Sequence, residues 1–310
     1  MKVTTIICSF NPKKDILTRA INALKAQTLS FDDWELILVD NSSSPAISSW
    51  LDLAWHPHSK IIVEQKLGLS HARLFGVENA LSDLIVFVDD DNVLDANYLE
   101  EAFRFHQQHP EVGCFGGKSI PEFETQPPDW FFETGINLGC QNYGNDLHIS
   151  NYKTLGHQIN QYPEKAPIGT GMVILKSAFL GYLEKVQNNA ERIALGRRGT
   201  SLTSGEDNDI VLTLINNGYE IAYLPALKIT HLIPQNRYSL NYLKKMAYES
   251  NRSWVKVLAI HGINPWKKIH PISLPLRKLK AYLKVKPWKG ELNVVNYQAA
   301  LGKFKGQSEI

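Results

Sequence analysis

Two apolar runs of strand length each stop abruptly on a carboxylate, and that pattern restricts the chain to a narrow set of folds. Leu84-Ile85-Val86-Phe87-Val88 is followed by Asp89-Asp90-Asp91-Asn92, and Leu36-Ile37-Leu38-Val39 ends at Asp40. Unbroken runs of this kind, without polar alternation, belong to strands covered on both faces, as in parallel sheets. In open α/β sheets the ligand crevice lies beyond the carboxyl ends of such strands. Three adjacent acidic side chains there repel one another and favour an oxygen-preferring divalent cation, which can neutralise a diphosphate. An isolated Asp triplet is equally compatible with a solvated loop capping the helix expected over Asp95 to Gln107.

The rest of the first 110 residues fits the same scheme. Val3 to Ser9 reads as a strand, Asn11-Pro12 as a turn, and Lys14 to Gln27 as a helix with Ile16, Leu17, Ala20, Ile21 and Leu24 on one face. Trp34 to Val39 and Ile61 to Val63 read as strands, and Ser70 to Ala80 as a helix. This alternation predicts a doubly wound, mostly parallel sheet. Residues 119–165, rich in proline, aromatic and amide side chains, read as a long functional loop region. Beyond it come a strand over Gly169 to Leu175, a helix over Ile210 to Asn217 and strands over Tyr219 to Leu224 and Leu227 to His231. An amphipathic helix is expected from Ser239 to Ile260.

Composition narrows the setting. Of 310 residues, 44% are hydrophobic, enough for one large α/β domain. Cys8, Cys114 and Cys140 are odd in number and lack metal-ligand spacing, which points to a reducing compartment. No signal-peptide pattern opens the chain and no apolar run reaches membrane-span length, so a soluble, cytoplasmic protein is expected. The net charge of +2 conceals an asymmetry: from Arg237 onward 15 Lys/Arg face three acids, a net of +12, leaving −10 for residues 1–236.

Several short segments carry chemistry. Asp40, at a strand end, can accept hydrogen bonds from a nucleobase or ribose, or close an Asx-turn. Lys66-Leu67-Gly68-Leu69-Ser70-His71-Ala72-Arg73 sets a small-residue turn and positive charge before a helix, an arrangement suited to phosphate. It is not a Walker loop, and no Gly-x-Gly-x-x-Gly follows the first strand, which argues against a nicotinamide-binding domain. Gly205-Glu206-Asp207 places two carboxylates at a helix start, as a general base or as first-turn acids. His231, ending a strand, is a candidate imidazole ligand.

Together these residues resemble the family 2 inverting glycosyltransferases of the GT-A fold, over residues 3–235. The elements are Thr5-Ile6-Ile7-Cys8-Ser9-Phe10-Asn11, Glu35 to Asp40, Gly68-Leu69-Ser70-x-Ala72-Arg73, Asp89-x-Asp91, Gly169-x-Gly171-Met172 and Gly205-Glu206-Asp207-Asn208-Asp209 with His231. The resemblance implies a Rossmann-like domain over 1–235, with a nucleotide-sugar half (1–115) and an acceptor half (116–235), and a basic, mainly helical extension over 236–310. It implies that Ser9, Phe10, Asn11 and Asp40 hold the base, with Asp40 reading a uracil-type edge, and that Lys66, Gly68 and Arg73 approach ribose or diphosphate. Asp91 and His231 would ligate Mn²⁺ or Mg²⁺, and Asp89 would contact ribose or metal-bound water. Asp90 has no separate role. Asp207 matches the catalytic base, Glu206 the acceptor contact, and Gly169 to Gly171 the close approach to donor sugar. Cys8, Asn41, Leu74 and Asn92 depart from the family pattern, and bear on base and ribose preference rather than on a direct ligand.

The implied activity is metal-dependent transfer from a nucleoside-diphosphate sugar, expected to be a UDP-sugar, to a saccharide or lipid-linked acceptor in surface polysaccharide or glycoconjugate synthesis. Trp130 is the candidate saccharide-stacking aromatic. The basic tail, with Trp254, Trp266, Tyr282 and Trp288, suits either peripheral contact with an anionic membrane or a solvated helical subdomain, and nucleic acid is not expected. A sugar-phosphate nucleotidyltransferase would place a Gly-rich basic loop after the first strand, where Ser9-Phe10-Asn11-Pro12 stands. A non-catalytic nucleotide-sugar-binding protein would not need Asp207.

Overall fold

The register of the first strands explains why the carboxylates gather. In a computed structural model describing residues 1–151, 161–197 and 201–310, β1 (Val3–Ser9) lies between β2 (Trp34–Asp40) and β4 (Leu84–Asp89), parallel to both. Ser9 pairs with Asp40 and Cys8 with Asp89, so the ends of all three strands share one edge. β3 (Ser59–Val63) extends this parallel half beside β2. Burial on both faces accounts for the uninterrupted Val/Ile/Leu composition: Ile6, Ile7, Ile37, Leu38, Ile85 and Val86 are fully enclosed.

The other half of the sheet is mixed rather than parallel. The order is β3-β2-β1-β4-β8-β6-β9-β5, with β7 on the flank of β9. Here β5 is Asn92–Leu94, β6 Val112–Phe123, β7 His148–Ser150, β8 Val173–Leu175 and β9 Glu220–Ile233. β6 and β9 run parallel, whereas β8 is antiparallel to β4 and β6, and β5 and β7 are antiparallel to β9. The antiparallel members are three residues each, too short to leave a periodic signal. β6 continues into the region read as loop, through Phe123. β9 is one strand where two were expected, because Pro225 sits in a bulge: Tyr223 pairs with Gly116 and Lys228 with Lys118, so Leu224 to Leu227 face Gly117 alone. A Cβ on Gly117 would lie 2.0 Å from the Leu227 carbonyl oxygen. Residues 152–160 of the expected loop region lie outside the described residues.

Helices cover the sheet: α1 (Lys14–Lys25), α2 (Leu69–Glu78), α3 (Tyr98–Gln108), α4 (Asp129–Phe132), α5 (Lys176–Val186), α6 (Ala190–Ile193) and α7 (Glu206–Asn216). α1 buries Leu17, Ala20, Ile21 and Leu24, four of the five residues of its expected face. α7 starts at Glu206, four residues ahead of the periodic pattern, which puts both expected carboxylates in its first turn.

The C-terminal extension is helical: α8 (Leu240–Ile260), α9 (Leu274–Val285) and α10 (Glu291–Glu309). It is bonded into the body in two ways. Leu243, Met246, Ala247 and Val295 share a core with Phe131, Leu138 and Ile233. Asp209, fully buried in α7, accepts two hydrogen bonds from Arg192 at 2.9 Å and faces Nε2 of His261, past the end of α8, at 2.7 Å. Glu309 closes α10 onto α8 through Arg252 (2.8 Å) and Lys256 (3.0 Å).

Two predictions follow from these clamps. Asp209→Ala leaves the Arg192 charge buried without its partner and should lower stability by about 3–5 kcal/mol. Chemical denaturation measures this, and a loss under about 1 kcal/mol would show that Arg192 finds another partner. For Glu309, partial burial opposes the charge, but Arg252, Lys305 and Lys256 outweigh it and draw the pKa down from 4.5 to about 2. A depressed carboxylate stabilises the fold fully above its unfolded pKa, so this contribution should vanish as pH falls from 4.5 to about 2. The melting-temperature gap between the native chain and Glu309→Gln should close over that interval; a gap that stays constant disproves the assignment.

Candidate active site

Above the aligned strand ends lies a cavity of about 410 Å³. Ser9 and Phe10 from the end of β1, and Leu67 and Gly68 from the turn before α2, line one side. Asp89, Asp90 and Asp91 form its floor, and Glu206 and Asp207 at the start of α7 stand on another wall with Gly169. His231, Arg237 and Met246 complete the lining from the later part of the chain. A volume in this range accommodates a small-molecule ligand.

Arg73 organises the centre. Its guanidinium is buried, 3.9 Å from Asp89 and 3.7 Å from Glu206, with Cζ 5.1 Å from the centre of the Phe87 ring. Burial raises the pKa of both carboxyls and Arg73 partly offsets it; Asp91 adds to the rise at Asp89. Gly169 permits this geometry, since a Cβ there would come within 3.2 Å of Arg73 Nη2. The Cys8 thiol, beside these groups, is pushed upward by burial and is not a nucleophile at neutral pH.

The three aspartates have different neighbours. Ser9 donates its hydroxyl hydrogen to Asp90 Oδ2 at 2.5 Å, while burial and the adjacent Asp91 push the Asp90 pKa up to about 7. Asp91 Oδ2 lies 3.3 Å from His231 Nε2 and 3.0 Å from Arg237 Nη2. Burial works against ionisation of Asp91, but His231 and Arg237 prevail and lower its pKa. Burial also opposes charge on His231, and Asp91 overrides it, raising the imidazole to about 10. Strand register makes this contact: Asn92 of β5 pairs with His231 of β9, and the Leu232 N–H donates to the Asp91 carbonyl.

Asp91 and His231 present a carboxylate oxygen and an imidazole nitrogen side by side, a donor pair that suits Mn²⁺ or Mg²⁺. Among the described residues, no three His, Cys, Asp or Glu side chains converge to cage an ion alone. Asp89 faces Arg73 instead. The pair would therefore hold a divalent cation only with further donors from outside these side chains.

Asp207 accepts hydrogen bonds from the Gly169 N–H (3.1 Å) to Oδ2 and from the Asn208 N–H (3.0 Å) to Oδ1. These fix the carboxylate at the cavity wall. Glu206 lies deeper, beneath Arg73.

Other expected site residues are held away from the cavity lining. Asp40 gives Oδ1 to the Ser43 N–H and Oδ2 to the Ile47 N–H, both at 2.8 Å, so its carboxylate shapes the loop after β2. Asn11, at φ 49°, accepts from the Ser44 N–H and is a second brace of that loop. Lys66 contributes backbone, its carbonyl accepting from Asn41. Gly171 (φ +69°) is a packing requirement, because a Cβ would meet Ile229 at 2.0 Å. Trp130 packs on the core shared with the extension. Conversely, Arg197 and Arg237 line the cavity without having been singled out from the sequence, and Asn41, which departs from the family pattern, lines it too. Asn41 bonds the Glu64 and Lys66 carbonyls and the Gly68 N–H, so it holds the turn before α2.

The sequence model of the family described as "Glycosyl transferase family 2" matches residues 4–180. A glucosyl-dolichyl phosphate glucuronosyltransferase of Haloferax volcanii is 22% identical over 165 residues, covering 52% of this chain and 52% of its own. The chain spans about half or less of the length of the curated relatives it matches. Among solved structures, the mannosyltransferase PcManGT of Pyrobaculum calidifontis, in complex with GDP-Man and Mn²⁺, superposes with TM-score 0.54 at 16% identity, over 97% of this chain and 73% of that one. S. aureus TarS in complex with UDP gives 0.51 at 13% identity, over 100% of this chain and 90% of the other. These likenesses establish a GT-A fold.

Arg73→Met would leave Asp89 and Glu206 buried without their cation. Both carboxyls would then hold their protons to higher pH in the folded state than in the unfolded one, so stability should fall as pH rises. The variant should lose roughly 3 kcal/mol near neutral pH and less near pH 5. Denaturant midpoints at about pH 5 and about pH 8 test this; a loss equal at both assigns Arg73 a packing role only.

Proposed function

The chain belongs to glycosyl transferase family 2, and from that membership we propose that its cavity transfers a sugar from a nucleoside-diphosphate sugar to an acceptor hydroxyl with inversion. The observation that carries this reading is one cavity holding the strand-end carboxylates Asp89 to Asp91 and, on another wall, Asp207 at the start of α7. The first group suits a diphosphate with its cation. The second suits deprotonation of an incoming hydroxyl.

Asp91 and His231 would hold Mn²⁺ or Mg²⁺, with Asp89 as the neighbouring carboxylate, and His231 must release its proton before it ligates. The ion would supply positive charge to the leaving diphosphate. Arg197 and Arg237, both lining the cavity, add fixed cations for the same phosphates. Ser9, Phe10 and Asn41 line the side where a base would lie, with Phe10 exposed for stacking. Asp207 would take the acceptor proton as the hydroxyl attacks the anomeric carbon; one displacement inverts the centre without a covalent enzyme nucleophile. Its two backbone hydrogen bonds keep the accepting oxygen in place. Arg73 partly offsets the cost of burying Asp89 and Glu206 beside the reacting groups.

A UDP-sugar is the favoured donor, in line with the UDP complex of TarS, and a saccharide or lipid-linked glycan the favoured acceptor, in line with the dolichyl-phosphate relative. The reading extends to a role in surface polysaccharide or glycoconjugate synthesis, with the basic extension toward a membrane. Asp207→Asn tests the base: transfer should fall by about 10²–10⁴-fold. Thermal shift with a panel of nucleotide sugars and Mn²⁺ should stay unchanged in that variant. Undiminished transfer with intact donor binding would remove Asp207 from the reaction.

A further inference from the structure

The helix α9 carries its apolar face outward. Leu276, Leu279 and Leu283, at i, i+3 and i+7, share one stripe, and Ile272 continues it one turn earlier. Their exposures are 72%, 55%, 58% and 84%. The only buried residue of the helix, Ala281, stands two positions from Leu283, about 200° round the axis. The face that meets α10 is therefore opposite the leucine stripe. A helix on a water-exposed surface places these residues the other way round. Trp288, 57% exposed, with its ring centre 5.2 Å from that of Tyr282 and tilted 46° to it, adds a large amphipathic ring at the end of the same segment.

Charge identifies what covers this face. From residue 250 to residue 290 there is no Asp or Glu, while Arg277, Lys278, Lys280, Lys284, Lys286 and Lys289 surround the stripe and are all exposed. Ion pairs within the extension lie elsewhere, as between Arg252, Lys256 or Lys305 and Glu249 or Glu309. A second copy of the chain would bring these cations against their like, whereas an anionic lipid surface accepts both the leucines and the lysines. No helix among the described residues is long and apolar enough to cross a membrane.

We propose that α9 lies in the plane of an anionic phospholipid surface, with Ile272, Leu276, Leu279, Leu283 and Trp288 inserted among the acyl chains and the lysines at the headgroups. α9 packs on α10, α10 on α8, and Met246 of α8 lines the cavity, so continuous helix packing links the bound surface to the cavity. The proposal deepens the reading of a membrane-borne acceptor and rests on it for its purpose, while the binding is measured apart from transfer.

Flotation of the full chain with vesicles of equal parts phosphatidylglycerol and phosphatidylcholine should recover the native protein. Recovery should fall at least roughly tenfold for Leu276→Ser/Leu279→Ser/Leu283→Ser, for Lys280→Glu/Lys284→Glu, and on pure phosphatidylcholine. The substituted side chains are exposed, so melting temperature and the thermal shift with nucleotide sugars should be unchanged, which separates this proposal from the catalytic one. As a second measurement, brominated acyl chains should quench native tryptophan emission more than that of Trp288→Phe. Equal flotation of the native and triple-serine proteins, or no flotation on anionic vesicles, overturns the proposal. So does a native dimer that the serine variant dissolves, which would make a second copy the occupant.

Discussion

A single guanidinium buried between carboxylates from distant parts of the chain orders the centre of this protein. Arg73 comes from α2, Asp89 from the end of β4, and Glu206 from the start of α7. A lysine would supply the charge as a point, whereas the planar fork addresses two partners and lays its face toward Phe87. Buried ion pairs of this kind roughly break even against an apolar filling of the same space. Their effect here is to hold two acidic groups in place beside a cavity and to offset part of the cost of burying them, and the absent side chain at Gly169 makes room for it.

The opposite corner depends on pairing rather than on charge. Three residues of β5 hydrogen-bond to β9, and their register sets His231 beside Asp91. A slip of one residue would turn His231 to the other face of the sheet and leave Asp91 to Arg237 alone. The neighbouring turn is tied as well: the Asp89 N–H donates to Asn92 Oδ1, and Asn92 Nδ2 donates to Asp91.

β1, β2 and β4 were readable because strands buried on both faces have an unmistakable composition, and because they end on the polar residues Ser9, Asp40 and Asp89. Ser9, Asp89 to Asp91, Glu206, Asp207 and His231, distant in sequence, line one cavity. Asp40 and Asn11 show the limit of reading motifs. A carboxylate or amide at a strand end can serve either a ligand or its own loop, and only the positions of the Ser43, Ser44 and Ile47 N–H groups decide. Three-residue strands and the Pro225 bulge escape any periodicity test. Arg237 was hidden for a different reason: its charge merged with the basic tail, although it stands six residues after His231 and faces Asp91.

The cavity lining also has a temporal side. Ser9, near the start of the chain, shares it with Arg237 and Met246, so a growing polypeptide lacks part of the wall until α8 has left the ribosome. Asp209 meets His261 only then as well. The residues of the parallel strands and their acidic floor thus emerge early, whereas the cavity wall is complete only late, shortly before the outward leucines of α9.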